Sequence, residues 1–233
     1  MIDEQRLSRR RLLAWAGGIG IAALVPGCAG DDEPAPPTAT SAEAATTGTG
    51  RAPDCVLTPE LTEGPYYLDL DLVRADIAEG RPGRPLDLRV TVVDADSCEP
   101  LEGAAVDVWH CDAEGVYSGV EGAEGETFCR GVQLTGSDGI AALGTIFPGW
   151  YAGRAVHVHL KVAVNGSDVH TGQLFFDDAT IAAVYAEEPY SARPGPDTPN
   201  DADGIFAQSE GATIVAVTPA DRYTGEVTLG VRR

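Results

Sequence analysis

The chain contains few basic residues. Only 16 of its 233 residues are Lys or Arg, against 36 Asp or Glu, and the formal net charge is -20. A surface this acidic repels the phosphate backbone of nucleic acids and the headgroups of anionic lipids. We therefore expect no nucleic-acid partner and no peripheral adsorption to anionic membranes. The charge also disfavours a highly anionic substrate, unless the pocket that receives it is locally basic.

Long hydrophobic runs are also missing. The apolar stretch from Leu12 to Val25 is too short to span a bilayer in the ordinary way. It follows Arg9, Arg10 and Arg11, and a basic start before a short, weakly hydrophobic segment is typical of a twin-arginine export signal. This pattern predicts export of a protein that has already folded.

The segment after this run resembles a bacterial lipobox. In Leu24-Val25-Pro26-Gly27-Cys28, Cys28 would be the acylated first residue of the mature protein. Residues 1–27 are therefore predicted to be the signal peptide. Residues 28–53 have almost no large apolar side chain and are predicted to be a flexible tether. We expect an extracytoplasmic protein, lipid-anchored at the cell membrane through Cys28 or secreted, whose globular domain occupies residues 54–233.

No C-x-x-C spacing occurs, which disfavours a thiolate iron or zinc site. With Cys28 assigned to the lipobox, the domain keeps an even number of cysteines, as suits an oxidising compartment. Of the three possible pairings we favour Cys55 with Cys98 and Cys111 with Cys129. The alternative is four buried free thiols.

Helical patterns are rare, and only Thr180–Glu187 looks helical. Short segments of alternating apolar residues recur between turns instead. They are Leu86–Val93, Ala104–His110, Gly131–Thr135, Ile140–Ile146, Ala155–Val164, Gly172–Phe176, Ala212–Val217 and Glu226–Val231. This pattern predicts an all-β fold, an antiparallel β-sandwich with little helix. It leaves the oligomeric state open.

Two histidines occupy alternate positions of one predicted strand. His157 and His159 lie in Ala155–Val164, and residues two apart in a strand project from the same face. Imidazole nitrogen suits zinc, copper, nickel and iron alike, so this pair alone does not identify a metal. The other two histidines, His110 and His170, are interpreted as structural or surface residues.

Two tyrosines change the interpretation of this pair. Tyr151 ends a Pro148-Gly149-Trp150-Tyr151 turn just before the histidine strand, and Tyr117 lies upstream. A phenol must lose a proton with a pKa of ~10 to bind a metal. A trivalent cation can hold it as phenolate. Taken singly, Tyr117 could instead be an ordinary strand-end tyrosine, Tyr151 a turn aromatic, and Arg154 a solvated charge.

The motifs around these residues resemble the intradiol ring-cleavage dioxygenases, the class of catechol 1,2-dioxygenase and protocatechuate 3,4-dioxygenase. Gly103–Tyr117 is similar to that family's G-x-x-V-D-x-W-x-x-x-x-x-G-x-Y segment. Thr145–Tyr151 and Arg154–His159 are similar to its T-I-x-P-G-x-Y and R-x-x-H-x-H segments, in the same order. The resemblance covers roughly residues 55 to 232.

The resemblance implies a site and an activity. It implies that a non-haem Fe(III) is bound by Tyr117, Tyr151, His157 and His159. Tyr151 would be the axial ligand that substrate displaces, and Arg154 and Gln173 would lie beside the bound catechol. The implied reaction cleaves a catechol between its two hydroxylated carbons with O2 and gives a muconate-type diacid. The alternative is an exported, non-catalytic β-sandwich module that binds a ligand or carbohydrate.

Specificity would depend on the walls of the pocket. The sequence places candidate wall segments at Gly64–Leu70 and Val116–Gly125. Tyr66 and Tyr67 lie in the first of these, and either could line the pocket or pack in the core. The sequence does not distinguish among catechols as substrates.

Overall fold

The computed structural model describes residues 56–120 and 122–233. The predicted signal peptide of residues 1–27, the lipobox Cys28 and the tether of residues 28–53 lie outside the described residues and stay predictions. Within the described ranges, no helix combines the length and the hydrophobicity needed to cross a bilayer.

Two four-stranded sheets form the domain. The strands are β1 Pro85–Asp94, β2 Ala105–Trp109, β3 Arg130–Leu134, β4 Ile140–Ile146, β5 His157–Val164, β6 Ser167–Phe175, β7 Ala216–Thr218 and β8 Tyr223–Val231. One sheet has the order β4-β1-β8-β7 and the other β3-β2-β5-β6. Neighbouring strands are antiparallel except β1 and β8, which are parallel. The predicted all-β sandwich is confirmed, with this one parallel pair as a difference.

The alternation of apolar residues explains how each strand is buried. In β1, Leu86, Leu88 and Val90 point into the core of the sandwich. In β5, Val158 and Leu160 belong to the same core cluster, so His157 and His159 project from the opposite face of their sheet. Each buried aliphatic side chain contributes roughly 1.5–3 kcal/mol relative to an exposed one. The core thus fixes which side of β5 carries the histidines.

The hairpin between β5 and β6 is longer than the sequence pattern predicted. Strand β6 begins at Ser167, whereas the predicted strand began at Gly172. The two strands are joined through Asn165 and Gly166, whose φ angles are 52° and 78°. Two consecutive positive φ angles are what a two-residue type I′ hairpin turn requires, and Asn-Gly is its preferred sequence. This hairpin holds β6 in register beside the histidines.

Two short α-helices and two 3₁₀ turns, Tyr190–Ala192 and Asn200–Ala202, follow the hairpin, where the sequence predicted one helix. Helix α1 spans Asp178–Tyr185 and confirms the predicted helix with shifted ends. Helix α2 spans Gly204–Gln208 and was not predicted. Its N-cap is Asp203, whose carboxylate accepts hydrogen bonds from the amides of residues 205 and 206. The segment that carries α2 returns to the end of the sandwich where β5 begins.

The predicted pairing of Cys111 with Cys129 is wrong, because both thiols are free and buried. The Cys111 thiol points at the Gly149 carbonyl, 3.4 Å away. Burial raises the pKa of the Cys129 thiol to about 12, so it stays protonated. Cys98 is disulfide-bonded, but its predicted partner Cys55 lies outside the described residues, so that pairing stays a prediction.

Candidate metal centre

The two histidines of β5 bring their ring nitrogens together. His157 Nε2 lies 3.0 Å from His159 Nε2, and both side chains are buried. The hydroxyl of Tyr151, from the turn before β5, lies 3.0 Å from His157 Nε2. Three donor atoms from one stretch of chain therefore meet at one point, as their spacing in the sequence predicted.

Tyr117 reaches the same point from the loop after β2. Its ring centroid lies 5.8 Å from that of Tyr151 and 6.1 Å from that of His159. The side chain is 3% exposed, and its hydroxyl interacts with that of Tyr151 without forming a hydrogen bond of ordinary geometry. A buried hydroxyl without a well-formed hydrogen bond costs about 1–3 kcal/mol, which makes the Tyr117 oxygen a candidate ligand.

The protonation of His157 is set by its backbone. Its Nδ1 lies 2.6 Å from the carbonyl oxygen of Ala155, so Nδ1 carries the proton that this contact needs. The other nitrogen, Nε2, then presents a lone pair to the cluster, as in metal-binding histidines. Burial, assisted by the charge of Arg154, lowers the pKa of His157 to about 3. The ring is neutral at physiological pH.

Burial also keeps the other donors uncharged. It raises the pKa of Tyr151 to about 12, against the opposing charge of Arg154. It raises the pKa of Tyr117 well above 10 and lowers the pKa of His159 well below 6.5. Without a cation, the pocket thus contains neutral phenols and neutral imidazoles. The fixed charges nearest to these donors are the Arg154 guanidinium with its paired Asp203 carboxylate and the buried Arg130 guanidinium, which lies 6.0 Å over the Tyr117 ring.

The donor set fits a small, hard cation. Two donors at right angles, each roughly 2.0–2.1 Å from a metal, are about 3 Å apart. The contacts of His157 Nε2 to Tyr151 and to His159 have this spacing. Within the described ranges, no group of three or more His, Cys, Asp or Glu side chains is arranged for a metal. The convergent set here mixes phenol with imidazole, which favours Fe(III).

Strand register explains why Gln173 lies beside the cluster. Across the sheet, His159 of β5 pairs with Trp109 of β2 on one side and with Gln173 of β6 on the other. The Trp109 ring stacks on the His159 ring at 5.1 Å with an interplanar angle of 10°. Gln173 is fully buried and donates from Nε2 to the Thr62 carbonyl at 2.8 Å.

Arg154 connects Gln173 to the tyrosine and histidine donors. Its Nη2 donates to Gln173 Oε1 at 2.6 Å. Its Nη1 lies 3.5 Å from both Tyr151 Oη and His157 Nε2. The third edge of the guanidinium, at Nε, donates to Asp203 Oδ2 at 2.9 Å. Arg154 is therefore not a solvated charge, because its contacts aim one nitrogen at the donor cluster.

The segment of residues 64–70 covers the cluster with aromatic rings. Tyr66 stacks on Tyr117 with centroids 4.4 Å apart and meets Tyr151 edge-on at 6.0 Å. Tyr67 packs against Trp109 at 4.9 Å. Tyr66 is thus the better candidate for a pocket wall, whereas Tyr67 supports the tryptophan behind a histidine. Gly64 allows this close cover, since a Cβ there would lie 3.0 Å from His159 Cε1.

The remaining histidines do not join the cluster. His110 is fully buried, and its ring nitrogens contact the Cys111 carbonyl at 2.7 Å and Thr145 Oγ1 at 2.8 Å. His170 is buried within β6, where it pairs with Val162 of β5. Both are structural residues, as the sequence indicated, and neither is at the surface.

The structure brings all six predicted site residues into one pocket. They are Tyr117, Tyr151, Arg154, His157, His159 and Gln173. Sequence reasoning missed Asp203, because it lies 49 residues after Arg154 in a segment without a strand pattern. The one available signal was local, since Asp before a short apolar run is a common helix N-cap. Trp109 was visible within the motif but received no role.

Comparisons with known proteins agree with this geometry. A family model described as Dioxygenase matches residues 58–194. Chlorocatechol 1,2-dioxygenase of Pseudomonas putida is 31% identical over 140 residues, which cover 49% of this chain and 52% of that protein. Catechol 1,2-dioxygenase of Acinetobacter baylyi is 27% identical over 186 residues, 65% of this chain and 60% of that protein. The chain spans about half the length of the curated relatives it matches.

Solved structures extend the similarity to the whole described domain. An intradiol ring-cleavage dioxygenase from Tetranychus urticae superposes with a TM-score of 0.73 at 33% identity, covering 76% of this chain and 95% of that one. The dioxygenase domain of a dioxygenase carbohydrate-binding protein fusion from Streptomyces sp. SirexAA-E gives 0.60 at 30% identity, covering 76% and 98%. Fold, motif order and these matches together assign the chain to the intradiol ring-cleavage dioxygenase family.

Proposed function

We propose that the protein is a non-haem Fe(III) dioxygenase that cleaves catechol-type aromatics between their two hydroxylated carbons. Both atoms of O2 enter the product, a muconate-type diacid, so no external reductant is needed. The observation that carries the proposal is the convergence of Tyr151 Oη, His157 Nε2 and His159 Nε2 at 3.0 Å contacts. The buried Tyr117 hydroxyl beside them, which faces that of Tyr151 without a well-formed hydrogen bond, supports a fourth ligand.

The four donors would hold the iron in a nearly neutral centre. Two phenolates and one hydroxide balance the three charges of Fe(III), so the resting site can lie in a pocket of low dielectric constant. When bound, the ion would stabilise the phenolates and draw electron density from a bound catecholate, so that O2 can attack the ring. The neutral imidazoles need no deprotonation, because burial already holds their pKa values low.

Tyr151 is the residue suited to accept a substrate proton. Its side chain is only partly buried, and its hydroxyl lies at the edge of the cluster beside Arg154. As a phenolate, its oxygen can take one proton from the catechol, and a hydroxide can take the other. The protein thus provides its own base, and the net charge of the site stays constant through binding.

Arg154 is suited to stabilise negative charge on the substrate. A fixed cation in a pocket from which water is excluded acts as an oxyanion-hole donor does, for which loss of one donor costs roughly 10²–10³ in kcat. Gln173 holds the guanidinium from one side while its own amide is bonded to the Thr62 carbonyl. The Trp109 ring covers His159 and the Tyr66 ring covers Tyr117, so both rings exclude water from the cluster.

An aerobic assay tests the activity. Catechol, hydroxyquinol, protocatechuate and methylcatechols would be supplied to iron-loaded protein, with oxygen uptake and ultraviolet absorbance of the product followed together. One O2 consumed per catechol with a muconate-type product is expected. A yellow semialdehyde would indicate cleavage outside the two hydroxyls and would contradict the proposal. Colourless protein that retains no iron would favour the binding-module alternative.

Tyr117→Phe tests the ligand assignment. It removes one oxygen from the cluster and keeps the ring, so we expect loss of the ferric-phenolate visible absorption and at least a roughly 10-fold loss of iron affinity. Tyr223→Phe is the matched control, because Tyr223 is a buried tyrosine in β8 of the other sheet. Equal iron binding and colour in both variants would refute the role of Tyr117.

Export is a separate part of the proposal and rests on residues outside the described part of the chain. We propose that the twin-arginine signal exports the folded protein and that Cys28 anchors it to the membrane. Cell fractionation should find the protein with the membranes, and Cys28→Ser should release it. Retention of both forms in the cytoplasm would refute this.

A further inference from the structure

The carboxylate of Asp203 holds Arg154 in place. Its Oδ2 accepts a hydrogen bond from Arg154 Nε at 2.9 Å and another from the backbone amide of Ala155 at 2.8 Å. The same carboxylate caps helix α2 through Oδ1, which accepts from the amide of Ile205 at 2.7 Å. Asp203 is 3% exposed, so this pair is shielded from solvent.

Every polar edge of the carboxylate is occupied. Burial raises the pKa of Asp203, but hydrogen bonds from the Ala155 and Ile205 amides and from Arg154 outweigh it, and the pKa is lowered overall. Asp203 is therefore ionised at physiological pH. A carboxylate bonded to backbone amides from two elements cannot rotate without breaking those bonds, so it is a rigid anchor for the guanidinium.

The anchor determines which nitrogen of Arg154 faces the site. A guanidinium is a planar fork with fixed donor directions. Asp203 occupies the Nε edge and Gln173 occupies Nη2. Only Nη1 is left toward Tyr151 Oη and His157 Nε2, each at 3.5 Å. Without the carboxylate, the side chain could pivot about the Gln173 contact and withdraw this nitrogen.

We propose that Asp203 is a positioning residue for ring cleavage, acting through Arg154. Its hydrogen bonds go to Arg154 and to backbone amides and not to the four donors, and its effect is to keep Nη1 of Arg154 aimed at the cluster. The proposal rests on the proposed function for its kinetic consequence. The geometry of the pair can be tested without turnover.

Asp203→Asn is the most informative variant. Asn is as good an N-cap as Asp, so one oxygen can continue to cap α2. The amide nitrogen of the introduced Asn then replaces Oδ2 and cannot accept the hydrogen bonds that Arg154 Nε and the Ala155 amide donate. We expect kcat to fall by roughly 10- to 100-fold with little change in KM. A misplaced Arg154 guanidinium stabilises the charge of the transition state less well, whereas substrate binding depends on it less.

Asp177→Asn is the matched control. Asp177 caps helix α1 through the amide of Thr180 at 2.8 Å and has no contact with Arg154. This variant removes an equivalent capping charge elsewhere, so its kcat should equal that of the wild type. If both variants lose kcat equally, the effect of Asp203 is one of general stability and the proposal is refuted.

A double-mutant comparison separates positioning from structure. If Asp203 acts through Arg154, the Arg154→Gln and Arg154→Gln/Asp203→Asn proteins should have the same kcat, because the group to be positioned is already absent. Independent effects would multiply instead and would overturn the proposal. Should Asp203→Asn fail to fold, Asp203→Glu keeps the charge but displaces it, and an unchanged kcat would then also overturn the proposal.

Nuclear magnetic resonance of the iron-free protein provides a readout without activity. An Nε–H proton held by a buried carboxylate exchanges slowly, so the wild type should show a protected Arg154 resonance, assigned by its loss in Arg154→Gln. It should persist in Asp177→Asn and vanish in Asp203→Asn. If the wild type shows this protected resonance but cleaves no catechol, the Asp203–Arg154 pair stands and the proposed function is rejected. Persistence in Asp203→Asn would reject the positioning role alone.

Discussion

Replacing Gly115 with Ala should separate the two tyrosines of the candidate metal centre. Gly115 has a φ of 86°, and a Cβ placed on it would lie 2.2 Å from the carbonyl oxygen of Trp150. Trp150 immediately precedes Tyr151, and Gly115 lies two residues before Tyr117. The two loops that carry the phenols therefore approach closely at Gly115, and widening this contact should move Tyr117 away from Tyr151.

The cost has two parts. A non-glycine residue with this positive φ is disfavoured by about 1–2 kcal/mol. The contact of 2.2 Å must in addition widen beyond 3.0 Å, since real Cβ atoms essentially never approach closer. Overpacking of this kind costs typically about 1–3 kcal/mol. We therefore expect the Gly115→Ala variant to lose roughly 2–5 kcal/mol of its free energy of unfolding.

Gly122→Ala is the control for the first part alone. Gly122 has a φ of 91°, and a Cβ there meets nothing within 4 Å. The Gly122→Ala variant should lose about 1–2 kcal/mol of its free energy of unfolding and leave the candidate metal centre intact. Urea unfolding of both iron-free proteins measures this difference, and iron content after dialysis measures the effect on the site.

The steric account would be refuted by either of two results. One is that Gly115→Ala and Gly122→Ala are destabilised equally, which would mean that the Trp150 carbonyl moves aside without an energetic penalty. The other is that Gly115→Ala retains iron as firmly as the wild type despite its lower stability. The separation of Tyr117 from Tyr151 would then not follow from the contact.

Two further predictions concern titration and thiols. Burial, with the charge of Arg154, holds the pKa of His157 at about 3, and burial holds that of His170 at about 4, both below 6.5. Below pH 6.5 these histidines therefore bind protons in the unfolded chain but not in the folded protein. The free energy of unfolding should consequently fall between pH 6.5 and pH 4, by up to about 1.4 kcal/mol per pH unit for each histidine. Urea unfolding of iron-free protein at several pH values measures this fall. The His170→Asn variant should reduce the slope of unfolding free energy against pH by the equivalent of about one proton, and an unfolding free energy that does not change with pH would contradict the prediction. Alkylation without reductant should label Cys111 and Cys129 rapidly in denaturant but slowly in native protein. Absence of label on both residues, with a protein mass two units below that of the free-thiol form, would show that they form a disulfide.

The strand pattern was predictable because burial of alternate residues leaves a period of two. Ile140–Ile146 has the predicted bounds, and the histidine strand ends at Val164 as predicted. The beginning of β6 was missed, because Ser167 and Asp168 are exposed and polar. The Asn-Gly turn before them was the better signal, since it depends on backbone conformation and not on burial.

The cysteine pairing shows where spacing fails. Cys111 and Cys129 do lie on neighbouring chain segments, since the amide of His110 donates a hydrogen bond to the Cys129 carbonyl at 3.0 Å. A disulfide needs both Cβ vectors to converge. The Cys111 thiol instead points at the Gly149 carbonyl, a direction that no sequence spacing encodes.

The sequence by itself determined the chemistry of the site. Two histidines on alternate positions of one strand and a tyrosine at the turn before it are local relations, which a strand and a turn convert directly into convergence. Only the tertiary structure decided what surrounds them. Gln173 reaches His159 through sheet register, and Asp203 reaches Arg154 through a segment that folds back across the sandwich. Such contacts depend on the packing of distant elements, because a side chain acquires a long-range partner only after the core has fixed where each backbone lies.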